Sequence, residues 1–223
     1  MTNRTALVAG ATGLVGNLLL KRLLASPVYA RVVVVTRRSL GLTHPKLTEM
    51  VVEFKALDVL FANPAIRVDD AFCALGTTIR KAGSQPAFRR VDLDYVVNFA
   101  KAAKAAGAAR FLLVSAIGSS ARSSIFYSRV KGEAEEAVSA LGFEATHIFQ
   151  PGLIMGPRAE RRPAEAAMMA ATPFLNTLLV GPMKIYRGIP ADTIAAAMVA
   201  AAASPAKGRL IHTYASMMQL AQG

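Results

Sequence analysis

Tryptophan is absent from this 223-residue chain, and cysteine occurs once, at Cys73. Histidine occurs three times, at His44, His147 and His212. A single cysteine excludes an intrachain disulfide and accords with a reducing compartment. The scattered histidines give no Cys/His spacing, which argues against a metal site. No apolar run is long enough to span a bilayer convincingly. Ala164 to Val180 comes nearest, but Pro173 interrupts it, leaving core packing, a pocket lid or subunit interface, or membrane contact as its readings. The first residues lead straight into a strand pattern, with no charged region and cleavage site, so no secretory signal is expected. The chain reads as cytoplasmic.

Acids are scarce too, 14 against 26 Lys and Arg, for a formal net charge of +12. The basic residues are spread along the chain without aromatic interleaving or a recognisable nucleic-acid motif. A small anionic ligand is therefore the expected partner, and nucleic acid is not. Hydrophobic residues make up 53% of the chain, enough to argue against disorder and for one sizeable core.

What is present begins at once. Thr5 to Ala9 is a short apolar run, Gly10-Ala11-Thr12-Gly13-Leu14-Val15-Gly16 a glycine-rich turn, and Asn17 to Leu24 a helical pattern. The reading is strand, tight turn, helix. Gly10 lets the chain turn, Gly13 lets backbone approach a phosphate, and Gly16 lets helix and strand pack closely. The helix N-terminus then offers free N–H groups to a pyrophosphate. Further strand candidates follow at Arg31–Thr36, Met50–Phe54, Asp70–Leu75, Phe111–Ser115, Ala145–Gln150 and Arg209–Tyr214. Between them lie helical patterns, among them Gln85–Ala106 and Ser123–Ala140, and Ile189-Pro190-Ala191-Asp192 opens an Ala-rich helix without charge. Strands alternating with helices predict an α/β fold, a doubly wound parallel sheet with helices on both faces. No linker divides the chain, so residues 1–223 are expected to form a single domain.

The end of the second strand carries the cofactor preference. An Asp or Glu there would hold a ribose 2′-hydroxyl, whereas this chain has Arg37 and Arg38, whose planar cations suit a 2′-phosphate. A solvated basic loop is the alternative, and NADP(H) is favoured. Leu57 and Asp58 follow the third strand; Asp58 either accepts from an adenine amino group or caps a turn. Leu75, Gly76, Thr77 and Thr78 end the fourth strand, and Val114 and Ser115 the fifth, all at the edge where a dinucleotide binds.

Chemistry is expected from Tyr127 and Lys131, four apart on one helix face. A phenol ionises near pH 10, and a neighbouring ammonium brings that down into a useful range. Lys131 can also donate to the nicotinamide ribose. Ser115 is placed to bind the substrate oxygen. Glycine turn, strand-end serine and Y-x-x-x-K, in that order, are more specific than any of them alone.

In this combination the chain resembles the atypical short-chain dehydrogenases/reductases, a Rossmann-like, NAD(P)-binding family. The glycine motif and the Tyr127–Lys131 pair carry the resemblance. Cys73-Ala74-Leu75-Gly76-Thr77-Thr78, Lys81-Ala82-Gly83, Arg90 to Val96 and Val130-Lys131-Gly132-Glu133 narrow it to the Tat-interacting oxidoreductase group. It covers residues 5 to 155; the rest matches only loosely. The resemblance implies hydride transfer between NADPH and a carbonyl or alcohol substrate, with Tyr127 as proton donor in reduction, Lys131 as its modulator and Ser115 on the substrate oxygen. It also implies that Pro151, Gly152 and Leu153 approach the nicotinamide, and that residues 151–223 shape the substrate pocket. Helix-pairing homodimers are usual in the family. An NADPH-binding sensor or scaffold without turnover is the alternative. Relatives carry an Asn in the helix before the serine strand; here that stretch reads Val91-Asp92-Leu93-Asp94, and Asn98 lies further along. Ser119 and Ser120 stand as alternatives to Ser115.

Overall fold

The valine run of the second strand shows how the layers are organised. Val33 and Val35 pack into one apolar cluster, Val32 and Val34 into another, and all four are fully buried. A strand covered on both faces needs apolar residues at every position rather than at alternate ones. A computed structural model describes residues 3–54, 57, 67–156 and 181–222 of the chain. Asp58, Pro157 and the Ala164–Val180 stretch lie outside the described residues.

Among the described residues, a seven-stranded parallel sheet has the order β3-β2-β1-β4-β5-β6-β9. Its strands are β1 (Arg4–Ala9), β2 (Tyr29–Thr36), β3 (Leu47–Val51), β4 (Asp70–Cys73), β5 (Arg110–Val114), β6 (Ala145–Phe149) and β9 (Gly208–His212). A two-stranded parallel ribbon pairs β7 (Ile154–Met155) with β8 (Ile189–Pro190). One face of the sheet carries α1 (Leu14–Ala25), α6 (Ala191–Ala203) and α7 (Tyr214–Leu220). The other carries α2 (Ile79–Ala82), α3 (Gln85–Arg89), α4 (Tyr95–Ala105) and α5 (Phe126–Ser139). This is the expected doubly wound fold. The sheet changes direction of travel between β1 and β4, which leaves a crevice at their C-terminal ends.

Three elements differ from expectation. The third strand is Leu47–Val51 rather than Met50–Phe54; it is set by parallel pairing from Val32↔Leu47 to Thr36↔Val51, not by its own apolar run. The long helix Gln85–Ala106 is interrupted by a π-helical turn at Arg90–Asp94, between α3 and α4. The helix expected from Ser123 starts only at Phe126. Ser123 Oγ takes the Ile125 N–H, while Arg129 donates to the Ser123 and Ser124 carbonyls, so those residues form a turn instead. The Ala-rich helix α6 carries a charge only in its first turn, at Asp192, and is largely buried as expected, from Ala191 and Ile194 through to Ala202.

One buried polar feature makes stability depend on pH. His147 on β6 is 1% exposed, its Nδ1 lies 3.0 Å from His212 Nε2, and its Nε2 has no partner among the described residues. Burial, then the His212 and Arg110 charges, push the His147 imidazole down to about 4; burial lowers His212 as well. In the unfolded chain His147 protonates near pH 6.5. Above that value neither state binds the proton. As pH falls from about 6.5 to about 4 only the unfolded chain gains it, so stability falls with pH by about 2–3 kcal/mol over that window. Urea titrations at pH 7 and pH 4.5 on the protein and on His147→Leu are expected to show a steeper acid loss in the former. Equal slopes would remove the assignment.

Candidate functional site

Among the described residues, the segments that directly follow β1, β2, β4, β5 and β6 reach the same edge of the sheet, because the strands are parallel. The glycine turn is the tightest of them. Gly10 has φ +87°, and a Cβ there would lie 2.4 Å from the Ala74 carbonyl group, at the end of the neighbouring strand. A Cβ on Gly16 would lie 2.0 Å from Gly10 O. Both are required by the bare fold. Gly13 is not: its Cβ would come no closer than 3.3 Å to Gly10 O. Gly13 is the N-cap of α1, offers no side-chain acceptor to the first turn, and no acid stands there. Thr12 and Gly13 are exposed, with Leu14 half-buried behind them and Val15 in the core. The α1 N-terminus thus presents unsatisfied N–H groups and its positive dipole end to the crevice, a fit for a dinucleotide's pyrophosphate.

At the end of β2, Arg37 and Arg38 are exposed. Their loop is shaped locally: Thr36 Oγ1 donates to Arg38 O at 2.8 Å, and Glu49 accepts from Ser39 Oγ at 3.0 Å and from Leu40 N at 2.5 Å. Glu49 holds the loop and leaves the two guanidinium groups to solvent. Leu57, expected to line the cofactor, is fully buried in the core; its side chain serves packing.

Beyond β4, Leu75, Gly76, Thr77 and Thr78 run along the crevice. Thr78 caps α2 by accepting from Lys81 N. A Cβ on Gly76 would sit 3.5 Å from Asp92 Oδ1 and 3.7 Å from Lys131 Nζ, so this loop lies directly against the lysine. Lys131 and Tyr127 both project from α5, one turn apart. Lys131 is 6% exposed, whereas Tyr127 is 36% exposed, its ring packed at 5.5 Å on Phe88. Lys131 Nζ is 2.8 Å from Asp92 Oδ1. Asp92 has no exposed surface, and its Oδ2 accepts from Thr77 N at 2.9 Å. Burial alone would lower the lysine pKa, but the Asp92 carboxylate and then Tyr127 outweigh it and hold it above the ordinary value. Asn98 is elsewhere, with its Nδ2 3.4 Å from Phe54 O.

Ser115 has a partner that the sequence did not suggest. Its hydroxyl donates to Glu135 Oε1 at 2.5 Å, and Glu135 also accepts from Gln150 Nε2 at 3.0 Å. Arg209 Nη2 lies 3.4 Å from the same carboxylate. Ser119 Oγ is 3.2 Å from Ser115 Oγ and donates to Ala116 O. Val114, just before Ser115, is buried. The loop carrying Ser119 and Ser120 rests on α5 at Gly132, where a Cβ would fall 2.1 Å from Ser120 C. Pro151 is buried and accepts from Ile117 N; Gly152 lies under the Tyr186 and Arg187 carbonyls; Leu153 O accepts from Ile189 N. Gly156 packs on Leu14, which returns this segment to the glycine turn.

Asp92, Glu135 and Gln150 were not among the expected site residues. Glu135 carried a signal, being four residues after Lys131 on the face that also buries Val130, Ala134 and Val138. Asp92 carried none in periodicity, because the π turn resets the helical phase at that point. Among the described residues no cluster of three or more His, Cys, Asp or Glu could hold a metal, and no helix is long and apolar enough to cross a membrane.

A family model described as NAD(P)H-binding matches residues 10–205. The rat protein named Protein HTATIP2 is 36% identical over 214 residues, covering 94% of this chain and 86% of its own length. Protein FMP52-1, mitochondrial, of Scheffersomyces stipitis is 37% identical over 187 residues, covering 83% of this chain and 78% of its own. Among solved structures, MoeE5 in complex with UDP-glucuronic acid and NAD superposes with a TM-score of 0.70 at 20% identity, over 93% of this chain and 75% of that one. Uronate dehydrogenase from Agrobacterium tumefaciens gives 0.67 at 16% identity, over 95% and 76%. These two likenesses are of fold. The expectation of a cytoplasmic chain is overturned, since relatives from Scheffersomyces and Aspergillus are named as mitochondrial proteins. The physical reason is that a lone cysteine forbids an intrachain disulfide wherever the chain resides, and so does not choose a compartment.

Proposed function

Because the chain belongs to the NAD(P)H-binding family and, among atypical short-chain dehydrogenases/reductases, to the group of Protein HTATIP2, we propose that it transfers a hydride between NADPH and a small carbonyl or alcohol substrate. The observation that carries this is the Tyr127–Lys131–Asp92 arrangement: a half-open phenol beside a buried, ion-paired ammonium, at the sheet edge reached by the glycine turn. The nicotinamide, when bound, supplies or accepts the hydride. The chain's own residues do the rest. The α1 N-terminus receives the pyrophosphate, and Arg37 and Arg38 pair with the 2′-phosphate. Tyr127 hands its proton to the substrate oxygen in reduction, and the Lys131 ammonium stabilises the phenolate left behind. Residues 151–223 supply the substrate side, supported by the packing of Gly152 under Tyr186 and Arg187. The family's habit of pairing helices extends the proposal to a homodimer.

Ser115 separates this from a second reading. With its hydrogen donated to Glu135, Ser115 offers lone pairs rather than a donor to a carbonyl oxygen. A cofactor-binding scaffold without turnover is consistent with that commitment. Titration with NADPH and with NADH decides first, followed by the reduced nicotinamide's own fluorescence, since the chain lacks tryptophan. Tight NADPH and weak NADH binding are expected, with the preference lost in Arg37→Ala or Arg38→Ala. On a carbonyl panel, Tyr127→Phe is then expected to lower turnover by roughly 10²–10⁴-fold with NADPH binding intact. NADPH binding without turnover on any carbonyl would establish the scaffold; binding of neither cofactor would overturn both readings.

A further inference from the structure

We propose that Asp92 is a positioning residue for this reaction: its buried carboxylate keeps Lys131 a permanent cation and ties it to the cofactor-side loop at Thr77. The proposal rests on the enzyme reading for its consequence, but its physical core does not. Lys131 sits inside the protein, with 7% of its side chain exposed, 2.8 Å from a carboxylate that has none. An ammonium taken out of water without a counter-ion releases its proton easily. A neutral lysine would lend no positive charge to the phenolate that Tyr127 becomes once it has given up its proton. Asp92 prevents this.

Two further observations give Asp92 this role rather than one in packing. First, its two oxygens are divided. Oδ1 faces Lys131 Nζ, and Oδ2 accepts from Thr77 N at 2.9 Å. One carboxylate thus fixes the lysine against the strand-end loop whose Gly76 lies over the same ion pair. Second, the helix departs from α-geometry where Asp92 stands. The π turn Arg90–Asp94 buries Asp92 and Leu93. Such one-turn departures bring a side chain where α-helical phase would not.

The groups that bear on Lys131 among the described residues are few: Asp92 from the π turn, Tyr127 from its own helix and Cys73 from β4. The Cys73 thiol is pushed up to about 12, first of all by burial, so it stays neutral. Burial is the largest influence on Lys131 and acts to discharge it; Asp92 is the largest that opposes this. Among the described residues, Asp92 is therefore the chief counter-charge opposing the effect of burial on Lys131.

The test reads Lys131 directly. Protein labelled with ¹³C at the lysine ε-carbons is titrated from pH 6 to 11, and the Lys131 signal is assigned by its loss in Lys131→Met. In the unaltered protein the signal is expected not to move below about pH 10. In Asp92→Asn its midpoint is expected at least one pH unit lower, and Asp92→Glu restores part of the difference. Turnover on an accepted carbonyl, where found, loses its alkaline limb in step, with kcat falling more than KM rises. An unchanged midpoint in Asp92→Asn would overturn the proposal even with turnover present. A shifted midpoint without turnover would sustain the hold of Asp92 on the Lys131 charge and overturn the enzyme reading alone. If Asp92→Asn does not fold, the double variant Asp92→Asn/Lys131→Met decides: recovery of the fold supports charge compensation, and continued failure shows that Asp92 serves the backbone at Thr77 instead.

Discussion

Replacing Asp70 with alanine is expected to lower the folding stability by about 3–5 kcal/mol, the usual result of stripping one partner from a buried ionic network. Asp70 opens β4 at the edge of the sheet opposite the glycine turn and has no exposed surface. Tyr29 donates to its Oδ2 at 2.8 Å, Arg110 Nε to its Oδ1 at 2.7 Å, and Arg4 forms an ion pair with it. Burial and then the Asp70 charge raise the Tyr29 phenol well above its ordinary pKa, so the phenol stays a hydrogen-bond donor. With Asp70 gone, the largely buried Arg4 and Arg110 guanidiniums lose the carboxylate that both of them pair with. The lost ion pairs and hydrogen bonds account for the size of the effect. Urea denaturation of Asp70→Ala checks this. NADPH affinity of the folded fraction is expected to be unchanged, because the network lies a full strand length from the crevice. A loss under about 1 kcal/mol would mean that water replaces the carboxylate at little cost.

The second large effect is expected at Gly132, where the sign itself is informative. Glycine in a helix interior is about 1 kcal/mol worse than alanine, so Gly132→Ala would stabilise a free-standing α5. Here the added Cβ would lie 2.1 Å from Ser120 C and 2.2 Å from Ala121 N. Both are backbone atoms of the loop that carries Ser119 and Ser120, and neither swings aside as a side-chain tip does. The loop must lift off the helix. The expected outcome is a net loss of about 1–3 kcal/mol from overpacking. Turnover should fall further, by roughly 100-fold, since a displacement of about 1 Å near reacting groups is enough for that. Thermal melting and carbonyl reduction measured together decide it. A variant that melts higher than the parent would show that loop and helix are not in the contact described.

Much of the architecture was legible because the signals were local. The Val32–Val35 run had to be covered on both faces, and it is. The helical patterns stop where expected, just before Gly107 and Gly142, whose positive φ turns the chain out of the helix. Elsewhere the local signal misled. Met50–Phe54 looked more strand-like than Leu47–Val51, yet an edge strand takes its bounds from the hydrogen bonds its neighbour offers, and β2 offers them to Leu47 through Val51. Ser123 and Ser124 continue the helical pattern in sequence, but their carbonyls accept from the Arg129 guanidinium and the helix starts after them.

The site divides the same way. Sequence alone determined which residues gather at the ends of the strands and their order along the chain: a glycine turn, two arginines after β2, a strand-end serine, and a tyrosine and lysine one helical turn apart. Those are relations between near neighbours, and helix and strand periodicity carry them. Only the tertiary structure decided which charge answers which. Asp92 meets Lys131 across 39 positions of chain, and Glu135 accepts a hydrogen bond from Ser115 across 20. Such pairings depend on how α5 is rotated against the sheet and on the one-turn change of phase in the helix beside it. They are settled when apolar faces pack and buried charges must find partners, and no window of sequence contains both members of the pair.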